Sequence, residues 1–396
     1  MLSPEHRALV KATVPLLESG GEALTTHFYE LLLREHPEVQ PFFNQANQRS
    51  GAQQRALANG VLMYARHIDK LEKLGDLVAT IVNKHVSLQI QPEHYPIVGG
   101  CLLRSIRVVL GEDVATAPVI DAWAAAYGQL ADILIGAERT IYDAAASQAG
   151  GWRGGRPFRV ERRAVESDEI TSFHLAPTDG APVLAHKPGQ YIGLRLNVDG
   201  QDVRRNYSLS AAGDGASYRI SVKREPSGVV SRHLHDRVQV GDVVELFPPS
   251  GHFTLEDGQR PVALLTGGVG ITPALAMLQA LIPTGRAVRF IHAARHAGVH
   301  AFRGWVDELA EHHPQLQRFY AYEHHEPGGD SSLHPDSVGL IGREQLARWL
   351  PEDRDVDVYL LGPTPFMRAM KRHLLALGVP DARTRLEFFG PATALD

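Results

Sequence analysis

The amino-acid sequence predicts a multidomain protein: an all-α domain, then an antiparallel β-barrel domain, then an α/β domain with a parallel sheet. Apolar residues recur at helical spacing over residues 1–146, and they alternate in short runs from about residue 157. From about residue 260, apolar strands alternate with helix-like segments. A chain of 396 residues is also long for one domain. We therefore expect domains at 1–146, 157–258 and 259–396, with a hinge at 147–156.

The first domain has the pattern of several amphipathic helices. Leu24, Phe28 and Leu31 repeat at three- and four-residue steps. Prolines divide the segment into separate helices, at Pro37, Pro41, Pro92, Pro96 and Pro118. The small and glycine-rich stretch AAASQAGGWRGG then predicts a hinge.

Short strands and turns follow in the second domain, and buried strands in the third. Residues 191–196 and 218–222 alternate, with turn residues between such runs. Residues 262–265, 288–291 and 356–361 have the continuous apolar character of parallel strands. We interpret the His-, Gly- and Asp-rich segment 311–337 as a surface loop.

Composition limits the classes of function. The net charge of −5 gives no general attraction to nucleic acid or to anionic membranes. No segment approaches the ~18 apolar residues of a membrane span, and the first residues lack an apolar run of signal-peptide length. Cys101 is the only cysteine, which excludes intrachain disulfides and thiolate-clustered metal sites. We expect a cytoplasmic, monomeric enzyme without nucleic-acid partners or membrane insertion.

The second domain carries a compact motif, Arg205-Asn206-Tyr207-Ser208, preceded by Tyr191. An arginine can hold a flavin pyrophosphate with forked hydrogen bonds, and a tyrosine can stack on a flavin ring. An exposed arginine and a core tyrosine on an edge strand explain these residues alone equally well.

The third domain begins with an apolar strand and the glycine-rich turn Thr266-Gly267-Gly268-Val269-Gly270-Ile271-Thr272-Pro273. Glycines allow close approach of a ligand to the backbone, and a helix N-terminus can hold a pyrophosphate. The order of these two motifs and the later LGPTPFM segment resembles the ferredoxin–NADP reductase family. Leu361 stands where that family usually has a cysteine.

That resemblance implies two cofactor sites. FAD would be held by Tyr191, Arg205, Asn206, Tyr207 and Ser208. NADH or NADPH would be held by Gly268, Val269, Gly270, Ile271, Thr272 and Pro273. The sequence does not choose between the two dinucleotides.

The helical domain resembles a bacterial globin. His85 lies at the end of an amphipathic helix, Phe43 follows the Pro37–Pro41 corner, and Tyr29 lies on an apolar face. Gln53 and Leu57 are four residues apart on the preceding helix. The resemblance implies that His85 ligates the iron of haem b, that Phe43, Gln53 and Leu57 line the pocket, and that Tyr29 donates a hydrogen bond to bound oxygen.

Three further roles follow from the resemblance. Tyr95 and Glu138 would form a proximal hydrogen-bond network behind His85, which raises the basicity of the imidazole. Lys84 and Glu387 would tune the reduction potentials between haem and flavin. The C-terminal segment would add FAD contacts from Phe388, Phe389, Gly390 and Pro391.

A globin followed by such a reductase is the arrangement of flavohaemoglobins, and the resemblance extends from end to end. It implies a nitric oxide dioxygenase, which converts nitric oxide and O2 to nitrate with electrons from NAD(P)H. Two alternatives stay open. One is a haem-based gas sensor or oxygen-binding protein, which would not need the reductase motifs. The other is an NAD(P)H-dependent flavin reductase that acts on ferric iron, quinones or hydroperoxides.

Overall fold

A computed structural model describes residues 2–43, 52–324 and 334–390, apart from the side chains of 52–56, 58, 59 and 76. The chain divides by its contacts into two compact units. Unit 1 comprises Met1–Gly154 and Arg195–Arg205, and unit 2 comprises Gly155–Leu194 and Asn206–Asp396.

Helices form the N-terminal part of unit 1, as the periodicity predicts. They are α1 (Pro4–Glu35), α2 (Ala52–Arg66), α3 (Gly75–Leu88), α4 (His94–Leu110) and α5 (Ala117–Ser147). Ser3 caps α1, since its hydroxyl accepts a hydrogen bond from the His6 amide at 3.1 Å. The apolar faces of the helices form two hydrophobic clusters, and in the larger one Trp123 of α5 donates to the Thr13 hydroxyl of α1 at 3.0 Å.

An antiparallel sheet of six strands follows, in the spatial order β4-β3-β6-β1-β2-β5. The strands are β1 (Arg156–Val165), β2 (Ile170–Pro177), β3 (Tyr191–Val198), β4 (Gln201–Ser208), β5 (Tyr218–Lys223) and β6 (Val243–Leu246). The helix α6 (Val229–Asp236) follows β5. Leu209, just after β4, bridges Ile220 of β5. The two edges of the sheet therefore meet, and the predicted antiparallel barrel is confirmed.

The last part of unit 2 is a parallel sheet with the order β10-β9-β8-β7-β11-β12. Its strands are β7 (Val262–Gly267), β8 (Val288–Ala294), β9 (Leu316–Tyr322), β10 (Ser337–Val338), β11 (Asp357–Leu361) and β12 (Thr384–Glu387). Its helices are α7 (Ile271–Leu281), α8 (Arg303–His312), α9 (Arg343–Trp349) and α10 (Thr364–Ala376). The strand order reverses between β7 and β11, which is the switch point where doubly wound sheets bind ligands.

The surface-loop prediction for 311–337 is wrong over its first half. The strand β9 crosses this segment, and Tyr320, Ala321 and Tyr322 are buried. The segment 325–333 lies outside the described residues. Within the described residues, no cluster of three or more His, Cys, Asp or Glu side chains could hold a metal ion. None of the described helices has the length and apolarity needed to cross a membrane.

Candidate functional site

Three helices bring His85, Tyr95 and Glu138 together in unit 1. His85 lies in the last turn of α3, Tyr95 in the first turn of α4, and Glu138 near the end of α5. The Nδ1 atom of His85 is 2.7 Å from Oε1 of Glu138 and 3.2 Å from the Tyr95 hydroxyl. That hydroxyl donates to the same carboxylate oxygen at 2.5 Å.

This arrangement determines which imidazole nitrogen carries the proton. Glu138 is only 2% exposed, and its Oε1 atom accepts from both neighbours. Burial and the Glu138 carboxylate raise the pKa of Tyr95, so its hydroxyl stays a donor. His85 therefore donates from Nδ1 and keeps the lone pair of Nε2 available to a metal.

Two tyrosines fix the helices that frame this group. Tyr127 of α5 donates to the Tyr95 carbonyl oxygen at 2.7 Å, and Tyr142 of the same helix donates to the Ile90 carbonyl oxygen at 2.8 Å. Both hydroxyls satisfy backbone groups near the start of α4. The position of Tyr95 relative to α5 is thus set by backbone contacts as well as by its own hydroxyl.

Tyr29 lies in the core of the helical domain. It is 6% exposed, and its ring meets those of Phe28 and Phe43 edge to face, with centroid distances of 5.0 and 5.6 Å. Burial raises the pKa of Tyr29, so the hydroxyl is protonated at neutral pH. No described side chain or backbone group hydrogen-bonds this hydroxyl. Leu57 packs against the same core, whereas the Gln53 side chain lies outside the described residues.

The residues predicted to hold flavin lie on β3 and β4. Tyr191 begins β3 and is largely buried. A Cβ atom on Gly251, whose φ is +114°, would come within 2.9 Å of the Tyr191 ring. The remaining four end β4, and they are Arg205, Asn206, Tyr207 and Ser208. Guanidinium, amide and hydroxyl donors on one partly exposed strand suit a pyrophosphate and a polar ring edge.

The glycine turn lies at the carboxyl end of β7, at the switch point of the parallel sheet. Gly268 has a φ of +53°, and a Cβ atom there would meet no other atom within 4 Å. A Cβ atom on Gly270 would come within 2.7 Å of the Leu361 carbonyl group. The turns that follow β7 and β11 are therefore in direct contact, and backbone rather than side chains faces the open space above them.

Ile271, Thr272 and Pro273 begin α7 and are buried, and Val269 is partly buried against the same core. Leu361 is fully buried in that core as well. These residues shape the turn by packing, and the glycines provide the surface that a ligand could approach.

Three segments of the chain match known protein families. The globin family matches residues 26–134. The oxidoreductase FAD-binding domain matches 157–255, and the oxidoreductase NAD-binding domain matches 264–372. Flavohemoproteins of Pseudomonas putida and Pseudomonas aeruginosa are each 64% identical to this chain over their full lengths and its own.

The chain belongs to the flavohaemoprotein family.

Solved structures support the same fold. The flavohemoglobin of Malassezia yamatoensis, which has FAD and haem bound, matches with a TM-score of 0.86 and 28% identity over 98% of this chain and 100% of that one. The FAD/NAD-binding domain of nitric oxide dioxygenase from Vibrio cholerae is 40% identical over 60% of this chain and 100% of that one, with a TM-score of 0.55.

This flavohaemoprotein is an oxidoreductase that uses haem, FAD and NAD. The donor sets fit the three groups. The helical domain offers a histidine nitrogen and the hydroxyl of Tyr29, the barrel offers donors on β4, and the parallel sheet offers a glycine turn at its switch point. Transfer of electrons from a nicotinamide reductase to a haem domain follows from this set of domains.

The C-terminal residues lie at the same edge of the parallel sheet as the glycine turn. Glu387 ends β12 and pairs in register with Leu361. Phe388 packs against the core, and Phe389 is 52% exposed. Gly390 is the last described residue, and Pro391 lies outside the described part of the chain. Lys84 lies on α3 of unit 1, so its pairing with Glu387 in redox tuning stays a prediction.

Sequence reasoning missed a buried polar cluster beside the glycine turn. The Thr266 hydroxyl of β7 is 2.8 Å from Nδ1 of His292 on β8. The ring centroids of His292 and His300 are 4.4 Å apart. His300 Nδ1 is in turn 2.8 Å from the Tyr322 hydroxyl of β9. The apolar surroundings of His292 in the run FIHAA were the one available signal, because a histidine within a buried strand needs a partner.

Proposed function

We propose that this flavohaemoprotein is a nitric oxide dioxygenase. Two nitric oxide and two O2 molecules would be converted to two nitrate ions, with NAD(P)H as the source of two electrons and NAD(P)+ and one proton as the other products. The observation that carries the proposal is the buried Glu138 carboxylate, 2.7 Å from His85 Nδ1. A carboxylate behind the ligand makes the imidazole a stronger electron donor, which suits oxygen activation better than oxygen storage.

Bound FAD would divide the two electrons of a hydride into single electrons, and bound haem would supply a redox-active iron. The chain's own residues would orient these groups. His85 would present Nε2, because Glu138 and Tyr95 hold its Nδ1 side. Tyr29 would offer one O–H donor from apolar surroundings, where a hydrogen bond to a charged acceptor is stronger than in water.

The reductase domains support the proposal over a gas sensor, because a sensor needs no supply of hydride. The similarity of the reductase part to the FAD/NAD-binding domain of nitric oxide dioxygenase from Vibrio cholerae points the same way. The cytoplasmic location and the monomeric state stay predictions of the sequence.

The experiment measures nitrate formed and NADH consumed when nitric oxide is added to aerated protein loaded with haem and FAD. We expect nitrate in proportion to NADH. Tyr29→Phe should lower the rate on the order of 10- to 100-fold, which is the usual loss when one donor to developing charge is removed. Haem content should be unchanged in that variant, since His85 is intact.

Tyr64→Phe is the matched control. Tyr64 is also a buried tyrosine of the helical domain, but its hydroxyl donates to the Ala126 carbonyl oxygen at 2.8 Å. Its loss should lower stability and leave nitrate production near the wild-type rate. Equal nitrate production by Tyr29→Phe and wild type would contradict the role of Tyr29.

His85→Ala distinguishes the alternatives. We expect it to lose the haem Soret band and nitrate production while NADH still reduces the flavin. Nitrate production that survives the loss of haem would overturn the proposal. If wild type forms no nitrate, and both wild type and His85→Ala rapidly reduce quinones or ferric iron, the result would favour the alternative function as a flavin reductase.

A further inference from the structure

Arg204 of β4 contacts the end of the helix that carries His85. Residues 195–205, which form most of the β3–β4 hairpin, belong to unit 1 together with the helices. Arg204 Nη1 donates to the carbonyl oxygen of Leu88, the last residue of α3, at 2.6 Å. The Arg204 side chain is only 13% exposed, so this hydrogen bond is sheltered from solvent. Leu88 lies three residues after His85, which is nearly one turn along the same helix face. An arginine of the β-sheet therefore holds the last turn of the His85 helix.

The last turn of α3 depends on such a contact. Carbonyl groups at the C-terminus of a helix have no partner within the helix, and the helix dipole favours a cation there. The next residue, Gln89, has a φ of +61°, a left-handed backbone that is favourable mainly for glycine. Its side chain donates to the Val86 carbonyl oxygen at 2.9 Å. Side chains therefore help to hold this unfavourable turn, and the hydrogen bond from Arg204 is a charged one.

The same guanidinium contacts the segment that carries Phe43. The guanidinium carbon of Arg204 lies 4.6 Å from the centroid of the Phe42 ring, within the range of a cation–π contact. Phe42 ends the short 3₁₀ helix Pro37–Phe42 and directly precedes Phe43. The Phe42 ring is also 4.6 Å from that of His94, the first residue of α4. Arg204 thus contacts two elements that carry predicted haem-pocket residues.

Neighbouring residues of the hairpin fix the position of Arg204. Asp202 lies two residues earlier on the same face of β4, and its Oδ2 atom is 3.5 Å from Arg204 Nη2 and 3.0 Å from Arg195 Nε on β3. Arg205 belongs to the opposite face of the strand and donates to the Arg204 carbonyl oxygen at 2.6 Å. The residue predicted to hold the flavin pyrophosphate is therefore bonded directly to the residue that holds α3.

We propose that Arg204 is a positioning residue for electron transfer from flavin to haem. It attaches the last turn of α3 to β4, so that the helix with His85 and the strand with the flavin motif keep a fixed arrangement. The inference rests on the proposed function, with FAD at β4 and the haem iron at His85. A guanidinium suits this role because its planar fork can bind a carbonyl group and a carboxylate while its face stacks on an aromatic ring.

The test separates reduction of the flavin from reduction of the haem. NADH is mixed anaerobically with protein loaded with haem and FAD, under carbon monoxide, and stopped-flow spectra follow both groups. Arg204→Met should leave flavin reduction at the wild-type rate. It should slow the subsequent reduction of the haem by about tenfold, as expected when a charged hydrogen bond that holds one arrangement is lost. Arg204→Lys retains a charged donor and should restore part of this rate.

Arg163→Met is the matched control. Arg163 of β1 donates to the His235 carbonyl oxygen at 2.9 Å, in the last turn of α6, and its guanidinium carbon lies 5.4 Å from the Phe173 ring centroid. It makes the same two kinds of contact as Arg204, but on a helix of unit 2 that carries no predicted haem ligand. Both reduction rates should stay at the wild-type values in this variant.

Hydrogen exchange of the loaded protein provides a readout that does not depend on activity. Exchange in segment 85–90 should rise by about tenfold in Arg204→Met, because the last turn of α3 opens more often. In Arg163→Met the rise should instead be confined to segment 233–238. Unchanged exchange in segment 85–90 of Arg204→Met would show that the arginine does not hold this turn.

An unchanged rate of haem reduction in Arg204→Met would also overturn the inference. Equal slowing in Arg204→Met and Arg163→Met would do the same, because it would reflect a general loss of stability. Nitrate formation plays no part in these measurements. A protein that forms no nitrate would contradict the proposed dioxygenase, while the role of Arg204 would still be decided by the two reduction rates, so the two failures are distinguishable.

Discussion

Two polar groups, one each from His85 and Tyr95, contact a single carboxylate oxygen of the buried Glu138. Its Oε1 accepts from Tyr95 and from His85 Nδ1, and the residue is 2% exposed. A buried carboxylate must be compensated by hydrogen bonds, and here each donor comes from a different helix. The same contacts that stabilise the packing of α3, α4 and α5 therefore set the electronic character of the histidine.

Glu138→Gln should raise the haem reduction potential. A neutral amide oxygen can accept the same two bonds, but it donates less electron density through the imidazole. Replacing a charged hydrogen bond by a neutral one changes its strength by about 1 kcal/mol, which is roughly 40 mV for one electron. Spectroelectrochemical titration of the haem measures this change.

Tyr95→Phe provides the control for that measurement. It keeps the carboxylate and His85 in contact but removes the donor at 2.5 Å. We expect a smaller potential shift and a loss of about 1 kcal/mol in the free energy of unfolding. Equal potentials in wild type and Glu138→Gln would show that the carboxylate does not tune the iron.

The sequence could identify these residues only through resemblance. One histidine among 20 carries no signal of its own, and the spacing of His85, Tyr95 and Glu138 along the chain does not show that they meet. Their contact depends on how three helices pack, which periodicity does not determine. The ion pair between Arg295 and Glu169 was unpredictable for the same reason, since the two residues are 126 positions apart in the sequence.

At the scale of elements, the turn after β7 depends on close backbone contact with the end of β11. A Cβ atom on Gly270 would lie 2.7 Å from the Leu361 carbonyl group and 2.9 Å from the Gly362 nitrogen. These are backbone atoms at the end of β11 and directly after it, so they cannot shift without disturbing the strand. Gly270 is thus needed for the packing of two strand ends, and Gly268 for its left-handed backbone.

Gly270→Ala should separate these strand ends and weaken binding of NAD+. We expect a loss of about 1–3 kcal/mol in the free energy of unfolding, as for other overpacked sites. Thermal unfolding and calorimetric titration with NAD+ measure the two effects. Gly304→Ala is the control, because a Cβ atom there meets nothing within 4 Å on the exposed face of α8. Comparable losses in both variants would refute the packing argument.

Long amphipathic helices and continuous apolar strands were predictable, whereas β9 was not. Residues 262–265 and 288–291 lie in β7 and β8 as expected. The run LQRFYAY of β9 contains two polar residues and lies between His-rich segments. The composition of this region therefore did not predict a buried strand. Its buried tyrosines are satisfied by Asp307 and by the His300–Arg303 group, contacts that no local pattern contains.

Over the whole molecule, buried titratable groups set the pH range of stability. Burial lowers the pKa of His292 to about 3 and also lowers that of His300. Burial raises the pKa of several tyrosines, namely Tyr29, Tyr95, Tyr127, Tyr142, Tyr218 and Tyr320. The unfolded chain binds more protons than the native one below about pH 6.5 and fewer above about pH 10. Stability should therefore fall on both sides of this range.

In unit 2, His292 and His300 contribute to the loss of stability at acid pH together with His174, His186 and His235, whose pKa values burial also lowers. Between about pH 6.5 and 5, protonation of His292 in the unfolded chain alone should cost about 2 kcal/mol of stability, at 1.36 kcal/mol per pH unit. Calorimetric unfolding of the loaded protein across this range should show the transition of the reductase domains shifting to lower temperature. In His292→Gln, whose side chain does not titrate, the shift should be smaller even though the starting stability is lower. His312→Gln, at an exposed histidine of α8, should retain the wild-type slope. An identical pH slope in His292→Gln and wild type would show that His292 does not contribute to acid unfolding.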